Sequence, residues 1–275
     1  MRRASRSDER IPISSGAVSM RFAIFAAGLV AACHRPAPPP PPPVDSLIVA
    51  ARSDAGPRTC AAIVGAVTER PLHRPIAEVM SYRGADWLDR ADRDASDEPD
   101  RVVGALGLHD GDLVGDIGAG SGYFTMRLAK KVAPLGSVTA VDVQPEMLAL
   151  LRKKVEAAHV TNVTLVNSTD TDLRLGERSL DLALMVDVYH ELHAPSAALA
   201  QLRCALRPGG RLAFVEYRAE DPKVEIKPEH KMLLATLRDE VEAAGFALDH
   251  VDEFLPRQHL AIFKKRDFVA PSAGD

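Results

Sequence analysis

Val114-Gly115-Asp116-Ile117-Gly118-Ala119-Gly120-Ser121-Gly122 is the stretch on which the reading of this chain turns. The apolar run at 113–117 predicts a buried strand, and residues 123–132 carry helical periodicity, so the glycines stand in a loop between a strand and a helix. Glycine at such a point lets the backbone turn sharply and lets a ligand come close to main-chain atoms. Alone the loop is a weak signal, because a plain strand-to-helix turn uses the same residues.

The next signal stands where a nucleotide site needs it. Asp142 closes the second predicted strand, about 20 residues beyond the loop, where a carboxylate accepts both hydroxyls of a ribose. A nicotinamide-dependent dehydrogenase would explain these two features equally well. The spacing separates the two readings: the glycines fall at 118, 120 and 122, not in the G-x-G-x-x-G order that seats a pyrophosphate on a helix N-terminus.

Working outward, strand-like apolar runs alternate with helical segments, the pattern of parallel βα units. Strands are predicted near 113–117, 137–141, 163–166, 180–186, 211–216, 247–251 and 259–264, with helices near 123–132, 145–157, 195–206 and 229–244. Only a short turn-like stretch, 252–258, separates the last two strands, so they form an antiparallel hairpin. The expected fold is α/β and Rossmann-like: a seven-stranded, mostly parallel sheet with an antiparallel last strand and helices on both faces.

These residues resemble the class I S-adenosylmethionine-dependent methyltransferase superfamily, whose first motif reads much like residues 114–122. Asp142 resembles its ribose-binding acid and Asp172-Leu173 its adenine-contacting motif after the third strand. The segment 181–187 resembles its fourth strand, and Leu206-Arg207-Pro208-Gly209-Gly210 its turn into the fifth. The resemblance spans most of 97–266 and is similar in kind to the small-molecule methyltransferases of ubiquinone and menaquinone biosynthesis. Thr169 departs from it, since many relatives carry an acid in that loop.

The resemblance implies S-adenosylmethionine as cofactor, with Asp116 facing its amino-acid end, Gly118, Gly120 and Gly122 admitting its chain, Asp142 on the ribose, Asp172 on the adenine, and Asp187 closing the fourth strand beside it. Methyl transfer is an in-line displacement in which alignment does most of the work, so binding residues dominate the expected site. Ligands of open parallel sheets gather at the carboxyl ends of strands, which puts the acceptor near Asp187-Val188-Tyr189-His190-Glu191-Leu192-His193. His190 is the candidate general base, with Tyr189, Glu191, Glu216 and Tyr217 as pocket residues and His230, Gln258 and His259 nearby without assigned roles. Asp187, His190, Glu191 and His193 are metal-ligand types, but their spacing is not distinctive and no metal is expected.

Composition narrows the partners. The 275-residue chain is 46% hydrophobic and 26% charged with net charge −4, and no basic block interleaved with aromatics occurs in its folded part, so a small-molecule acceptor is expected and nucleic acid is not. Three cysteines (Cys33, Cys60 and Cys204) include no CxxC pair, and a disulfide framework is not expected.

The N-terminal region has a different character. Arg2, Arg3, Arg6 and Arg10 precede the apolar run 22–32, too short to span a bilayer, which ends at Val30-Ala31-Ala32-Cys33. That tetrapeptide resembles the lipobox of bacterial lipoproteins, with Cys33 as the lipidated residue and membrane anchor; if the signal is not used, the protein is cytoplasmic. The expected organisation is a signal segment at 1–33, a Pro-rich tether at 34–75, a cap at 76–96 around Trp87, the methyltransferase domain at 97–267 and a tail at 268–275. Export sits uneasily with a cytosolic cofactor, which makes a non-catalytic, membrane-anchored binding module that keeps the fold the principal alternative.

Overall fold

The computed structural model describes residues 67–266, all within one compact unit, Pro41–Asp275. The signal segment, Cys33, the proline run and the C-terminal tail lie outside the described residues. Among the described residues no helix is long and apolar enough to cross a membrane.

The core is a sheet of eight strands: β1 (Leu113–Ile117), β2 (Ser137–Asp142), β3 (Val163–Asn167), β4 (Leu180–Val186), β5 (Leu206–Arg218), β6 (Lys231–Met232), β7 (Phe246–Asp252) and β8 (Gln258–Lys265). The order is β3-β2-β1-β4-β5-β8-β7, with the two-residue β6 paired to β5 outside that path. β1 to β5 run parallel, while β8 is antiparallel to both β5 and β7. The expected hairpin and reversed last strand are present; the eighth strand, β6, is an addition. It lies inside the segment expected to be one helix at 229–244, which is instead a 3₁₀ turn (Pro228–His230), β6, and a shorter helix (Leu234–Ala243). Pro228 fixes the start of that turn, and Met232, buried at 1% exposure, pairs with Arg218 of β5.

Alternation along the strands divides the interior in two. Leu182 and Leu184 of β4, Ala213 and Val215 of β5 and Ile262 of β8 face one side. After two short helices, α1 (Ala85–Leu88) and α2 (Arg93–Asp97), the chain supplies α3 (Pro99–Ala105), α4 (Thr125–Val132) and α5 (Pro145–Ala157), which pack there through Val102, Leu128 and Leu151. Ala183, Met185, Phe214 and Phe263 face the other, against α6 (Pro195–Ala205) and α7 (Leu234–Ala243). A sheet covered on both faces needs continuous apolar strands, which is what LDLALMV in β4 provides. Because the chain runs outward from β1 through β2 and β3, then returns to lay β4 on the other side of β1, a crevice opens at the carboxyl ends of β1 and β4.

Cys204, at the end of α6, is disulfide-bonded, although no disulfide framework was expected from the sequence; Cys33 and Cys60 lie outside the described residues.

Candidate active site

The crevice holds a cavity of about 440 Å³, within the range of small-molecule sites. Gly118, Gly120 and Asp142 line one end; Asp187, His190, Glu191, His193 and His230 line the other. Gly118 has φ +73°, and a Cβ there would stand 2.4 Å from Val188 Cγ2, so the loop approaches the end of β4 as closely as it does only because the residue is glycine. Gly122 serves packing instead of the cavity: at φ +88° its missing Cβ would lie 2.1 Å from Leu151 Cδ1 of α5.

The acids expected to hold a nucleotide separate into three situations. Asp142 lies on the cavity, and each of its oxygens accepts one backbone N–H at 2.8 Å, from Gly120 and from Gln144. Each oxygen keeps a lone pair for a ribose hydroxyl. Burial raises the Asp142 carboxyl above its usual range, against the pull of those N–H groups. Asp116 sits behind the loop, off the cavity surface, where its Oδ2 accepts the Thr125 hydroxyl at 2.5 Å. Burial chiefly, with the charge of Asp142, lifts it to about 6, while Thr125 and Arg93 pull it down. Asp116 thus ties the end of β1 to the start of the following helix beneath the loop. Asp172 is also off the cavity, turned into its own loop, where Oδ1 accepts the Arg174 N–H at 2.8 Å. Ser168, Thr169, Asp170 and Thr171 line the wall in its place.

At the far end the chain leaves β4 through Asp187, which adopts φ +53°, and enters a 3₁₀ turn, Tyr189–Glu191. Gln258 donates from Nε2 to both Asp187 oxygens, at 3.0 and 2.8 Å. Burial and the neighbouring Glu216 charge nonetheless raise Asp187 to about 7. His190 is 2% exposed; its Nδ1 is 2.6 Å from Glu216 Oε2 and its Nε2 3.2 Å from His230 Nδ1. Desolvation alone would lower its pKa, but the charge and hydrogen bond of Glu216, with Asp187 and Glu191 behind, raise it to about 9. In the ligand-free protein these neighbours favour the protonated imidazole, whereas the expected role of base calls for its neutral form. His230 is shifted the other way, lowered by burial and by the His190 charge. Glu191, raised to about 7 by burial, accepts the Met80 N–H at 3.3 Å.

Two expected pocket residues lie elsewhere. Glu216 is fully buried behind His190, accepting the Tyr189 N–H at 2.8 Å as well as holding the imidazole. Tyr189 turns to the opposite face of the sheet, where its hydroxyl donates to Glu240 at 2.7 Å and its ring meets Phe214 edge-on. Period-two alternation and the tight turn send neighbouring side chains to opposite faces, which the linear motif did not resolve. Glu191 and Tyr217 do line the cavity, whereas His259 is held between Glu253 and Glu220, away from it.

The segment before the domain covers the cavity. Val79, Met80, Trp87, Leu88 and Arg93 contribute to its wall. It is tied down by Ala77 donating to the His190 carbonyl at 3.1 Å and by Arg74 on Glu240 at 3.1 Å. Gln144 clasps it on both sides, donating to the Met80 carbonyl at 2.8 Å and accepting the Tyr82 N–H at 2.9 Å. Gln144 was missed in the sequence, although its place two residues after Asp142 marked it as a neighbour of any ribose. Arg93 stacks over Tyr123 and pairs with Asp97 at 2.9 Å, so it both pairs with an acid and lines the cavity.

This geometry has counterparts among known proteins. A methyltransferase-domain family model matches residues 114–210. A demethylmenaquinone methyltransferase of Tropheryma whipplei is 31% identical over 129 residues, 47% of this chain and 51% of its own. A malonyl-[acyl-carrier protein] O-methyltransferase of Halalkalibacterium halodurans is 31% identical over 139 residues, 49% of this chain and 45% of its own. The chain thus spans about half the length of these curated relatives. A crystal structure of an S-adenosylmethionine-dependent methyltransferase from Aquifex aeolicus superposes with TM-score 0.65 at 26% identity, over 68% of this chain and 99% of that one. Motif and strand order coincide on the same residues: 114–210 match a methyltransferase domain, and the fold is that of S-adenosylmethionine-dependent methyltransferases.

Proposed function

We propose that the protein transfers a methyl group from S-adenosylmethionine to a small-molecule acceptor bound at the carboxyl end of β4. The observation that carries this is a single cavity with the glycine loop and Asp142 at one end and the His190, Glu191 and His230 group at the other. The residues fit the cofactor: a close-approach glycine at Gly118, a carboxylate with spare lone pairs at Asp142, and a polar wall at Ser168, Thr169, Asp170 and Thr171 for the adenine side. When bound, the cofactor supplies an electrophilic sulfonium methyl. The protein's part is to hold the acceptor in line with it and keep water out, with Met80, Trp87 and Leu88 as the cover. The polar end suits an acceptor bearing oxygen groups, in keeping with relatives named for demethylmenaquinone and malonyl-[acyl-carrier protein].

Calorimetry of the full chain tests the reading. S-adenosylhomocysteine is expected to bind at one site per chain, and tight NAD binding with none of the adenosyl ligand overturns it.

Membrane attachment through Cys33 belongs to the same proposal. Val30-Ala31-Ala32-Cys33 supports it. The native protein is expected in the membrane fraction, with Cys33→Ser releasing it or leaving it unprocessed; an unmodified full-length chain in the soluble fraction rules attachment out.

A further inference from the structure

We propose that His190, Glu191 and His230 form a binding site for one divalent first-row transition-metal ion at the acceptor end of the cavity. One ligand atom from each of the three lies within 4.8 Å of the others. His190 Nε2 and His230 Nδ1 are 3.2 Å apart. Two imidazole nitrogens sharing an ion at about 2.0–2.1 Å each stand roughly 3.0–3.4 Å from one another at cis or tetrahedral angles, so this separation needs little change to admit a cation. The rings meet edge-on, with planes at 85°, and so do not stack.

A hydrogen-bonded histidine pair would show the same separation, but three further features favour the ion. Glu216 Oε2 holds His190 Nδ1 at 2.6 Å from a fully buried position, the carboxylate–histidine arrangement that fixes a metal ligand's ring and leaves Nε2 for the ion. Three carboxylates, Asp187, Glu191 and Glu216, crowd this recess, where a dication would offset their negative charge. All three proposed ligands line the cavity, so the remaining coordination positions face the space left for the acceptor. Two imidazoles and one carboxylate suit Fe²⁺, Mn²⁺, Co²⁺ or Zn²⁺ better than Mg²⁺ or Ca²⁺, which prefer all-oxygen sets. No spacing in the sequence announces the set, because His230 follows His190 by 40 residues and arrives from the turn after β5.

The site's place beside an acceptor rests on the methyltransferase reading; cation binding does not. The test is titration of the tag-free full chain, stripped with chelator, with Co²⁺, followed by calorimetry and visible absorption. One Co²⁺ per chain is expected, with ligand-field bands, and an affinity lowered at least about tenfold in His190→Ala, His230→Ala and Glu191→Gln. Glu191→Gln is nearly isosteric and His230 half-buried, so these two report even if His190→Ala fails to fold. Asp142→Ala is expected to weaken S-adenosylhomocysteine and keep Co²⁺. Equal Co²⁺ affinity in the wild type, His230→Ala and Glu191→Gln, or no saturable binding, overturns the metal site. Saturable Co²⁺ that these variants abolish, in a chain that binds no S-adenosylhomocysteine, supports the site and overturns the methyltransferase reading.

Discussion

The glycine-loop end of the cavity is assembled from one short piece of chain: Asp116, Gly118, Gly120, Asp142 and Gln144 come from two adjacent parallel strands and the loops that follow them. Its contacts are largely main-chain N–H groups and the absence of side chains. The β4 end gathers His190 from one turn, His230 from another, Glu216 from β5 and Gln258 from β8, and its contacts run between titratable side chains. Backbone geometry prepares the first end to receive a ligand of fixed shape. Charge prepares the second, where burial and neighbours have moved four groups from their ordinary pKa values. On the proposed function, recognition of a common cofactor asks for the first kind of construction and selection of an acceptor falls to the second, which side-chain changes can retune without disturbing the loop.

The comparison breaks most sharply at His190. With an acceptor in hand, His190→Ala is expected to lower turnover by about 10²–10⁴-fold while S-adenosylhomocysteine affinity stays within about threefold. Near-normal turnover would mean that positioning alone governs transfer and that the charged end is scaffolding.

Gly122→Ala is next, costing about 2–4 kcal/mol of stability through overlap with Leu151 and the positive φ. Gly104→Ala, where a Cβ meets nothing within 4 Å in the helix α3, is the contrast and gains about 0.5–1 kcal/mol. Denaturant unfolding of both variants checks whether the cost belongs to this site or to any glycine.

Asp142→Ala is expected to weaken S-adenosylhomocysteine by about 1.5–3 kcal/mol, measured by calorimetry, through loss of charge-assisted hydrogen bonds. Unchanged affinity would remove the ribose from the Asp142 side of the cavity.

Asp116 gives a pH-dependent effect. Its folded-state pKa of about 6 lies above the unfolded value of about 3.9, so its stabilising contribution is complete below about pH 4 and is lost as pH rises through 6. In the ligand-free protein, the stability of Asp116→Asn relative to wild type should therefore rise by on the order of 2 kcal/mol between pH 4 and pH 7. A difference flat across that window would mean the carboxylate is not held up by burial.

The smallest effect is expected at Asp172. Because its carboxylate caps its own loop, Asp172→Ala should change S-adenosylhomocysteine affinity by less than about 0.5 kcal/mol. A loss as large as that of Asp142→Ala would return Asp172 to the adenine.

The sequence by itself determined the sheet, the loop and the place of Asp142 at the end of β2. Those are local: strand alternation, helical periodicity, glycines at a strand end and an acid one strand later are written in runs of a few residues. β1 and β4 were read at their observed bounds, and the hairpin of β7 and β8 followed from the short stretch between them. What the tertiary structure alone decided is which neighbouring acids and rings face the cavity. Asp170 and Thr171 are turned in and Asp172 out, His190 in and Tyr189 through to the other face, Glu216 behind and His230 in front. A single residue of rotation in a turn exchanges such neighbours, and the meeting of His190, Glu216 and His230 depends on the register of β4 against β5 and on where the chain turns back at Pro228. Local patterns set which elements form; packing of apolar faces on both sides of the sheet set which side chains were left pointing at one another.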